Sequence, residues 1–527
     1  MIVSPMLRAG RLLLVVAAVA VVSFVPAVPA LAHASLVGAQ PVADSVLESA
    51  PNQVELTFDE PVSATLGGIR VFGPGGDRVD AGKTEVTDGR LVTAQVDAAG
   101  RGTYTVAWSV LSDDGHAIDG SYVYHVGEAG GGADVASVSG PGVARALGWV
   151  GRWIGFAGAA LAGGAIGFAF LFGSGRLRPL VVGGGVAVAI GTLLGLVAQI
   201  AVLASVSPSA AFGVVPEAVT GTRFGALSAA RIGAALVLCA VAFTRWWCSR
   251  SFWFWPVALF GLAVVILPAF SGHASATSPV AGSILNDAVH LAASSVWIGG
   301  LVALLACVPV CDDRRSLLER FSAVALVAAA LTVLTGAISS WLEVGSPSAL
   351  VETAYGRWLI VKAVLVVALL VLGSLGRVQV RRGAERLARV LGLVRGEVVV
   401  AVGVFAVTAA LVAIQPARSA LSDPYSETLP EADGQINLVV DPARTGTNEM
   451  HLYFLTDAGL PRDVDAVEVK VATGDIPARK IDLEIITASH YLAPAVELPS
   501  PGIWTFMVTS VTAGQRSPTV DVEVPIR

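Results

Sequence analysis

Between residues 147 and 415 the chain carries eight apolar runs long enough to span a bilayer, at roughly 147–173, 179–204, 226–247, 252–270, 283–310, 320–343, 357–376 and 395–415. About twenty apolar residues in a helix cross the ~30 Å hydrocarbon core. Lipid offers backbone groups no partner, so such runs must be helical. An eight-helix transmembrane α-bundle is therefore expected over residues 143–416. Charge agrees, because Asp, Glu, Lys and Arg make up only 14% of the 527 residues, against about 25% in soluble domains. The net charge of −6 leaves no electrostatic footprint for nucleic acid, so the expected surroundings are a lipid bilayer and no nucleic acid.

The loops orient the bundle. One alternate set holds Arg176 and Arg178, Arg245 and Arg250, Arg314 and Arg315, and then Arg377, Arg381, Arg382, Arg386 and Arg389. The other set is almost free of Lys and Arg, apart from Arg223. The positive-inside rule makes the first set cytoplasmic, and eight crossings then leave both chain ends outside. The first 32 residues agree, reading as a signal peptide: Arg8 and Arg11, an apolar stretch from Leu12 to Phe24, and a small-x-small site at Ala30-Leu31-Ala32. The alternative is an uncleaved anchor helix. Cleavage would make His33 the first residue of a mature plasma-membrane protein.

Both flanks read as β. In residues 33–127, runs such as Val54–Phe58, Leu91–Val96, Tyr104–Trp108 and Tyr122–Val126 alternate between Gly, Pro and Asp turns. Residues 430–527 do the same at Ile436–Val440, His451–Leu455, Val467–Val471, Ile503–Val508 and Val520–Val524. Short strands at this spacing predict an Ig-like or cupredoxin-like β-sandwich before the bundle and an Ig-like β-sandwich after it. A Gly-rich linker, 128–142, joins the first to the bundle. None of the four cysteines lies in these domains, so they are built on apolar cores rather than disulfides.

The candidate chemistry follows the histidines. His33, His116, His125, His273, His290, His451 and His490 all fall on the expected outer side, while Cys239, Cys248, Cys307 and Cys311 fall at or near inner helix ends. An N-terminal His33 offers an α-amine and a ring nitrogen as a chelating pair, and the amine's pKa near 8 lets a metal displace its proton. Asp114 and His116, two apart, point to one side of an extended segment. Two imidazoles, an amine and a carboxylate form a tetragonal N,O set that favours Cu(II). Taken alone, Asp-Gly-His is a surface turn.

In the fifth run Asn286, His290, Ser294 and Trp297 make one helical stripe with Asp287 beside it. Intramembrane ionisable groups usually face a bundle interior or a water path. His273 and His290 are expected to receive an ion that Asp287 helps to hold. The alternative is a structural pairing of Asp287 with Arg152, Arg231 or Lys362. Cys307 and Cys311, at i, i+4, would share a helix face and release Cu(I) inward, or would simply pack.

The stretches HASLVGAQPVADSVL, ELTFDEPV and YTVAWSVLSDDGHAIDGSYVYHV resemble the copper-binding CopC family. That resemblance implies His33, Asp114 and His116 as Cu(II) ligands. CopC proteins with a separate Cu(I) site use a Met-rich segment, whereas only Met450 and Met507 follow the signal here. His125 reads as a packed or surface histidine. SGHASATSP, DAVHLAASSVWIGGL, RFSAVAL, TAYGRWLIVK and RGEVVV resemble the CopD family, which implies copper transfer across the membrane. SHYLAPAVELPSPGIWTFMV resembles the YtkA-like sandwich, with His490 as its candidate ligand ahead of His451 and Met450. The resulting expectation is a copper-homeostasis membrane protein without enzymatic chemistry. It would bind Cu(II) outside, pass copper inward, with Cu(I) in the membrane path, and draw on an extracytoplasmic copper chaperone or reductase. The rival expectations are extracytoplasmic sequestration with the bundle as anchor, and a haem enzyme.

Overall fold

The computed structural model describes residues 34–127 (less 35, 44, 59–60, 98–99, 113–114 and 116), 142–243 (less 174), 254–272, 279–382, 387–420, 425–456, 462–474 and 476–527. The expected signal peptide, nearly all of the Gly-rich linker, and His33, Asp114, His116, Cys248 and His273 lie outside these residues. The chain forms two compact units, one helical and one holding the strands of both flanks.

In the β unit, the first eight strands are β1 (Leu36–Gln40), β2 (Val46–Leu47), β3 (Gln53–Phe58), β4 (Val62–Phe72), β5 (Asp80–Thr87), β6 (Leu91–Val96), β7 (Gly102–Ser112) and β8 (Ala117–Val126). They form two four-stranded sheets, ordered β1-β3-β6-β5 and β2-β8-β7-β4. The period-two pattern turns Val54, Leu56 and Phe58 of β3 and Val106 and Val110 of β7 into one core, where the Tyr104 and Tyr124 rings stack.

The last region holds β9 (Tyr425–Glu431), β10 (Gly434–Asp441), β11 (Gly446–Leu455), β12 (Ala466–Thr473), β13 (Ile476–Ile481), β14 (Glu484–Thr487), β15 (His490–Leu498), β16 (Gly502–Thr512), β17 (Gln515–Arg516) and β18 (Val520–Ile526). One sheet runs β14-β15-β11-β10-β9 and the other β13-β12-β16-β17, with β18 also on β16. Leu438, Val440, Leu452, Phe454, Trp504 and Phe506 fill the space between them. The outward face of β10 and β11 is also covered: Val42 of the first sandwich packs on Val439, Tyr453 and Leu455. Gly38 lies so close to Tyr453 that any Cβ there would overlap its hydroxyl.

The helical unit contains α1 (Gly142–Phe172), α2 (Arg178–Leu203), α3 (Arg223–Phe243), α4 (Phe254–Phe270), α5 (Val280–Val310), α6 (Arg314–Val344), α7 (Ala354–Arg381) and α8 (Leu387–Leu411). Seven of these are long and apolar enough to cross a membrane; the expected crossing at 252–270 is α4, a shorter apolar helix that ends in a 3-10 turn, Leu267–Phe270. Small residues let the backbones close up, as they do where lipid supplies no hydrophobic drive between helices. A Cβ on Gly158 of α1 would lie 2.8 Å from Gly184 O of α2.

α5 is interrupted by a π-turn, Ser295–Gly299, a feature frequent at functional sites. This turn presses on α1, because a Cβ on Gly299 would collide with Ala160 O. Gly299→Ala is therefore expected to cost about 1–3 kcal/mol of overpacking strain. The detergent-purified full chain should show this as a lowered thermal midpoint; an unchanged midpoint would mean that the turn yields freely.

Candidate functional site

His33, Asp114 and His116 themselves are outside the described residues, but their chain neighbours are placed. The buried Ala34 donates its N–H to Ser112 Oγ at 3.4 Å. The residue after His33 thus adjoins the residue that opens the Asp113–His116 turn. Gly115 takes φ +87°, a left-handed conformation that favours glycine. Its carbonyl accepts a hydrogen bond from Gln199 Nε2 of α2 at 3.1 Å. In β8 the Nδ1 of His125 meets Thr103 Oγ1 at 2.9 Å, consistent with a packed histidine.

Within the helical unit, all four residues of the α5 stripe, Asn286, His290, Ser294 and Trp297, line one cavity of about 420 Å³. Asp287 lines it too, with Ser339, Ser340 and Glu343 of α6, Tyr355 and Lys362 of α7, and Arg231 of α3. Hydrogen bonds to α6 hold the stripe. Asn286 Nδ2 donates to Thr335 O at 3.1 Å and Ser339 Oγ at 3.0 Å. His290 Nδ1 lies 3.0 Å from Thr335 Oγ1, whose own proton goes to Leu331 O at 2.7 Å. A hydroxyl has one proton to give, so Nδ1 is the donor and His290 keeps the lone pair of Nε2. A hydrogen bond of this kind to one ring nitrogen fixes the ring and the direction of the other nitrogen.

Charge in the cavity is balanced by groups that spacing did not bring together. Lys362 lies in the field of both Glu343 and Asp287, and Tyr355 donates its hydroxyl to Glu343. Of the three basic partners considered for Asp287, Lys362 is therefore the one that acts on it. The other two donate to helix carbonyls: Arg152 Nε to Ala409 O at 3.1 Å, and Arg231 Nε to Val264 O at 3.0 Å. Glu343 and Tyr355 were not singled out from the sequence. The available signal was a glutamate at the end of an apolar helix and a tyrosine within TAYGRWLIVK.

The helix face expected to carry both Cys307 and Cys311 is interrupted. α5 ends through a 3-10 turn at Val308–Val310, and Cys311 follows in extended backbone at φ −91°, ψ 134°. Pro309 is the cause, since its ring clashes with the preceding turn and it cannot donate. Cys307 and Cys311 therefore share no helix face, and neither lines the cavity. Cys239 donates its thiol to Val182 O at 3.6 Å, a helix-to-helix contact. Among the described residues, no three His, Cys, Asp or Glu side chains converge as a metal-holding group.

In the last sandwich, register puts His490 of β15 opposite Tyr453 of β11, two residues beyond His451. His451 Nδ1 meets His490 Nε2 at 3.0 Å, and His451 Nε2 meets Glu449 Oε1 at 2.9 Å. Arg90 of the first sandwich lies 3.7 Å from the same carboxylate oxygen. Both rings are buried, and Tyr453 stacks on His490 at 4.3 Å. The row offers two ring nitrogens to each other rather than to an open site. Met450 points into the apolar core.

Burial, and then the neighbouring His451, push His490 down to about 3. Its ordinary value is near 6.5, so its neutral burial stabilises the fold above that pH and the contribution is lost as pH falls toward 3. Burial followed by Glu449 lifts Asp441 to about 6, which acts in the opposite sense, losing stability as pH rises through 6. Pulse proteolysis of the full chain in urea should show a β unit that weakens below about pH 6.5. In His490→Leu that acid loss should shrink or reverse; an unchanged profile would place the titration elsewhere.

Three family models match the chain. Residues 36–127 match the CopC domain, 144–283 the N-terminal domain of the copper resistance protein D-like family, and 315–411 copper resistance protein D. Over 456 residues the chain is 28% identical to copper transport protein CutJ of Bacillus subtilis, covering 82% of this chain and 83% of CutJ. It is 34% identical over 98 residues to protein YobA of Escherichia coli, covering 18% of this chain and 79% of YobA. It is 32% identical over 170 residues to the inner membrane protein YebZ of Escherichia coli, covering 31% of this chain and 56% of YebZ. The crystal structure of CopC from Methylosinus trichosporium OB3b matches at 28% identity and a TM-score of 0.17, covering 19% of this chain and 99% of that one. One polypeptide thus carries a CopC domain and copper resistance protein D domains, and it is homologous to a copper transport protein over 82% of its length.

Proposed function

We propose that this multi-pass protein resides in the plasma membrane, captures Cu(II) on its extracytoplasmic side at His33, Asp114 and His116, and passes copper inward through the helical cavity. Both β-sandwiches then lie outside, the last as a YtkA-like domain. Capture is supported by the Ala34–Ser112 contact, which adjoins the two chain segments that carry the ligands. The passage rests chiefly on one observation: His290, held through Nδ1 by Thr335, lines a cavity that Asp287 also lines. Two donors without a third make a transit point rather than a store, because tight sites need three or four ligands. His273 would feed this point from the loop before α5. Imidazole and oxygen donors line the cavity, with no thiol or thioether among its described lining residues, a set that suits Cu(II). If copper crosses as Cu(I), the electron comes from a separate extracytoplasmic reductase, and a copper chaperone is the natural donor to the first sandwich. CutJ is named a copper transport protein, and its likeness to this chain covers most of both proteins.

The test is cellular copper, measured with and without the chain at limiting external copper. A rise inside is expected. A fall would mean export, and no change would mean sequestration outside the cell with the bundle as an anchor. His490 holds no copper in this scheme. Its replacement by Leu should leave the copper stoichiometry of the purified chain unaltered, as read by elemental analysis.

A further inference from the structure

A second cavity, of about 160 Å³, lies in the helical unit beyond the first, and Trp297 and Leu369 line both. These two side chains are thus the partition between the spaces. Trp297 stands in the π-turn and is 4% exposed, while Leu369 is 2% exposed. In the second cavity lies Glu397 of α8, a carboxylate only 4% exposed within a membrane-length apolar helix. No described group forms a hydrogen bond or ion pair with it. Its oxygens rest against two glycines of α7, where Cβ atoms would lie 3.4 Å (Gly373) and 3.9 Å (Gly376) away. Both distances are ordinary van der Waals contacts, so this part of α7 packs on the carboxyl group without supplying it a polar partner.

The charged groups nearby are directed elsewhere. Arg377 of α7 is the other charged side chain lining this cavity, and its Nη1 donates to Ser322 O at 2.8 Å and Ser322 Oγ at 3.0 Å on α6. Arg395, two residues before Glu397 on α8, points outward and is exposed. The segment of α5 on this cavity contributes Trp297, Leu301 and Leu304, none of them charged. Burying a carboxylate in an apolar membrane interior without a partner is costly, and such residues are kept for function. A copper ion would find one carboxylate, two serine hydroxyls and a guanidinium here, which is no ligand set for a metal. A proton needs only the carboxylate.

We propose that Glu397 is a proton-binding site coupled to copper passage. Resting on the transport reading above, copper that crosses the Trp297–Leu369 partition displaces the proton from the Glu397 carboxyl. That proton leaves to water in the second cavity, and the carboxylate is reprotonated once the cation has moved on. Cu(II) brings two positive charges and the departing proton removes one, so the freed carboxylate offsets part of the cation's charge while it passes.

The test uses the full chain in two arms. In proteoliposomes with external Cu(II) and an enclosed pH dye, wild type should move protons in step with copper, and its copper flux should respond to an imposed pH gradient. Glu397→Gln should lose the proton signal and the gradient response, while Glu397→Asp should restore part of both. Copper flux without proton movement in wild type, or full proton movement in Glu397→Gln, would overturn the coupling. The second arm stands if the chain moves no copper at all. Infrared difference spectra of the purified chain across a pH series should show a buried-carboxyl stretch that vanishes in Glu397→Gln and shifts in Glu397→Asp. Spectra identical in wild type and Glu397→Gln would overturn the site itself, whatever the fate of the transport reading.

Discussion

A chain processed so that one extra residue precedes His33 is expected to bind Cu(II) at least about a hundredfold more weakly than one that starts at His33. The estimate follows from ligand count. Outer-shell changes at metal sites already cost about 10–100-fold, and this change removes a first-shell donor. An amide nitrogen replaces the α-amine; it carries no lone pair for the metal at neutral pH, so the chelate between amine and ring is broken. The ring nitrogen, Asp114 and His116 would remain, leaving three donors from separate positions instead of a pre-formed pair. Competition titration against a chelator of known affinity measures the loss, and the electron paramagnetic spectrum of the Cu(II) form should change its nitrogen hyperfine pattern. Equal affinities would remove the amine from the ligand set. His116→Ala should weaken binding comparably, and the double change should cost little more than the larger single one if the site fails as a unit.

Much of this protein could be read from local sequence, because its main physical constraints are local. The apolar runs are helices because lipid permits nothing else, and seven of them overlap α1–α3 and α5–α8, although α6, α7 and α8 begin up to eight residues earlier than expected. The strands could be read because both sandwiches bury one face, so the alternation at Val54–Phe58 and Ile436–Val440 is a direct trace of the core. The α5 stripe could be read for the same reason, and its four members do share a cavity.

What could not be read required tertiary knowledge. Glu343, Tyr355 and Lys362 meet Asp287 only because three helices converge, and no spacing within one helix encodes that. Glu397 gains its significance from burial in a cavity shared with α5, α6 and α7. His451 and His490 are 39 positions apart and meet through the register of β11 and β15. The shared helix face of Cys307 and Cys311 failed for a local reason: i, i+4 spacing implies one face only if the helix continues, and Pro309 between the two stops it. The π-turn has no local signature either. It places Trp297 at the partition through packing of Gly299 on α1, a contact between distant segments.

His290→Ala should abolish copper accumulation in cells at limiting external copper while leaving Cu(II) binding by the first sandwich intact. His290 supplies the imidazole on the cavity wall, and no other described histidine or cysteine lines that space. Without it the cavity keeps Asp287 and Glu343, both in the field of Lys362, and Glu343 is engaged by Tyr355. Carboxylates already offset by a lysine hold a divalent ion poorly, so flux should fall at least about a hundredfold, the upper end of losses seen when a ligand's supporting hydrogen bonds are removed. Thr335→Val separates position from ligation. It removes the acceptor at 3.0 Å from Nδ1 while nearly preserving shape, so the ring is free to turn and Nε2 is no longer fixed. A reduction of about 10–100-fold is expected there. The ordering is informative: if Thr335→Val were silent and His290→Ala severe, the ligand would matter and its orientation would not. If His290→Ala cells accumulated copper as wild type does, the cavity would not be the route. A bundle that served only to anchor a copper-sequestering sandwich would leave internal copper unchanged in both variants and in wild type alike.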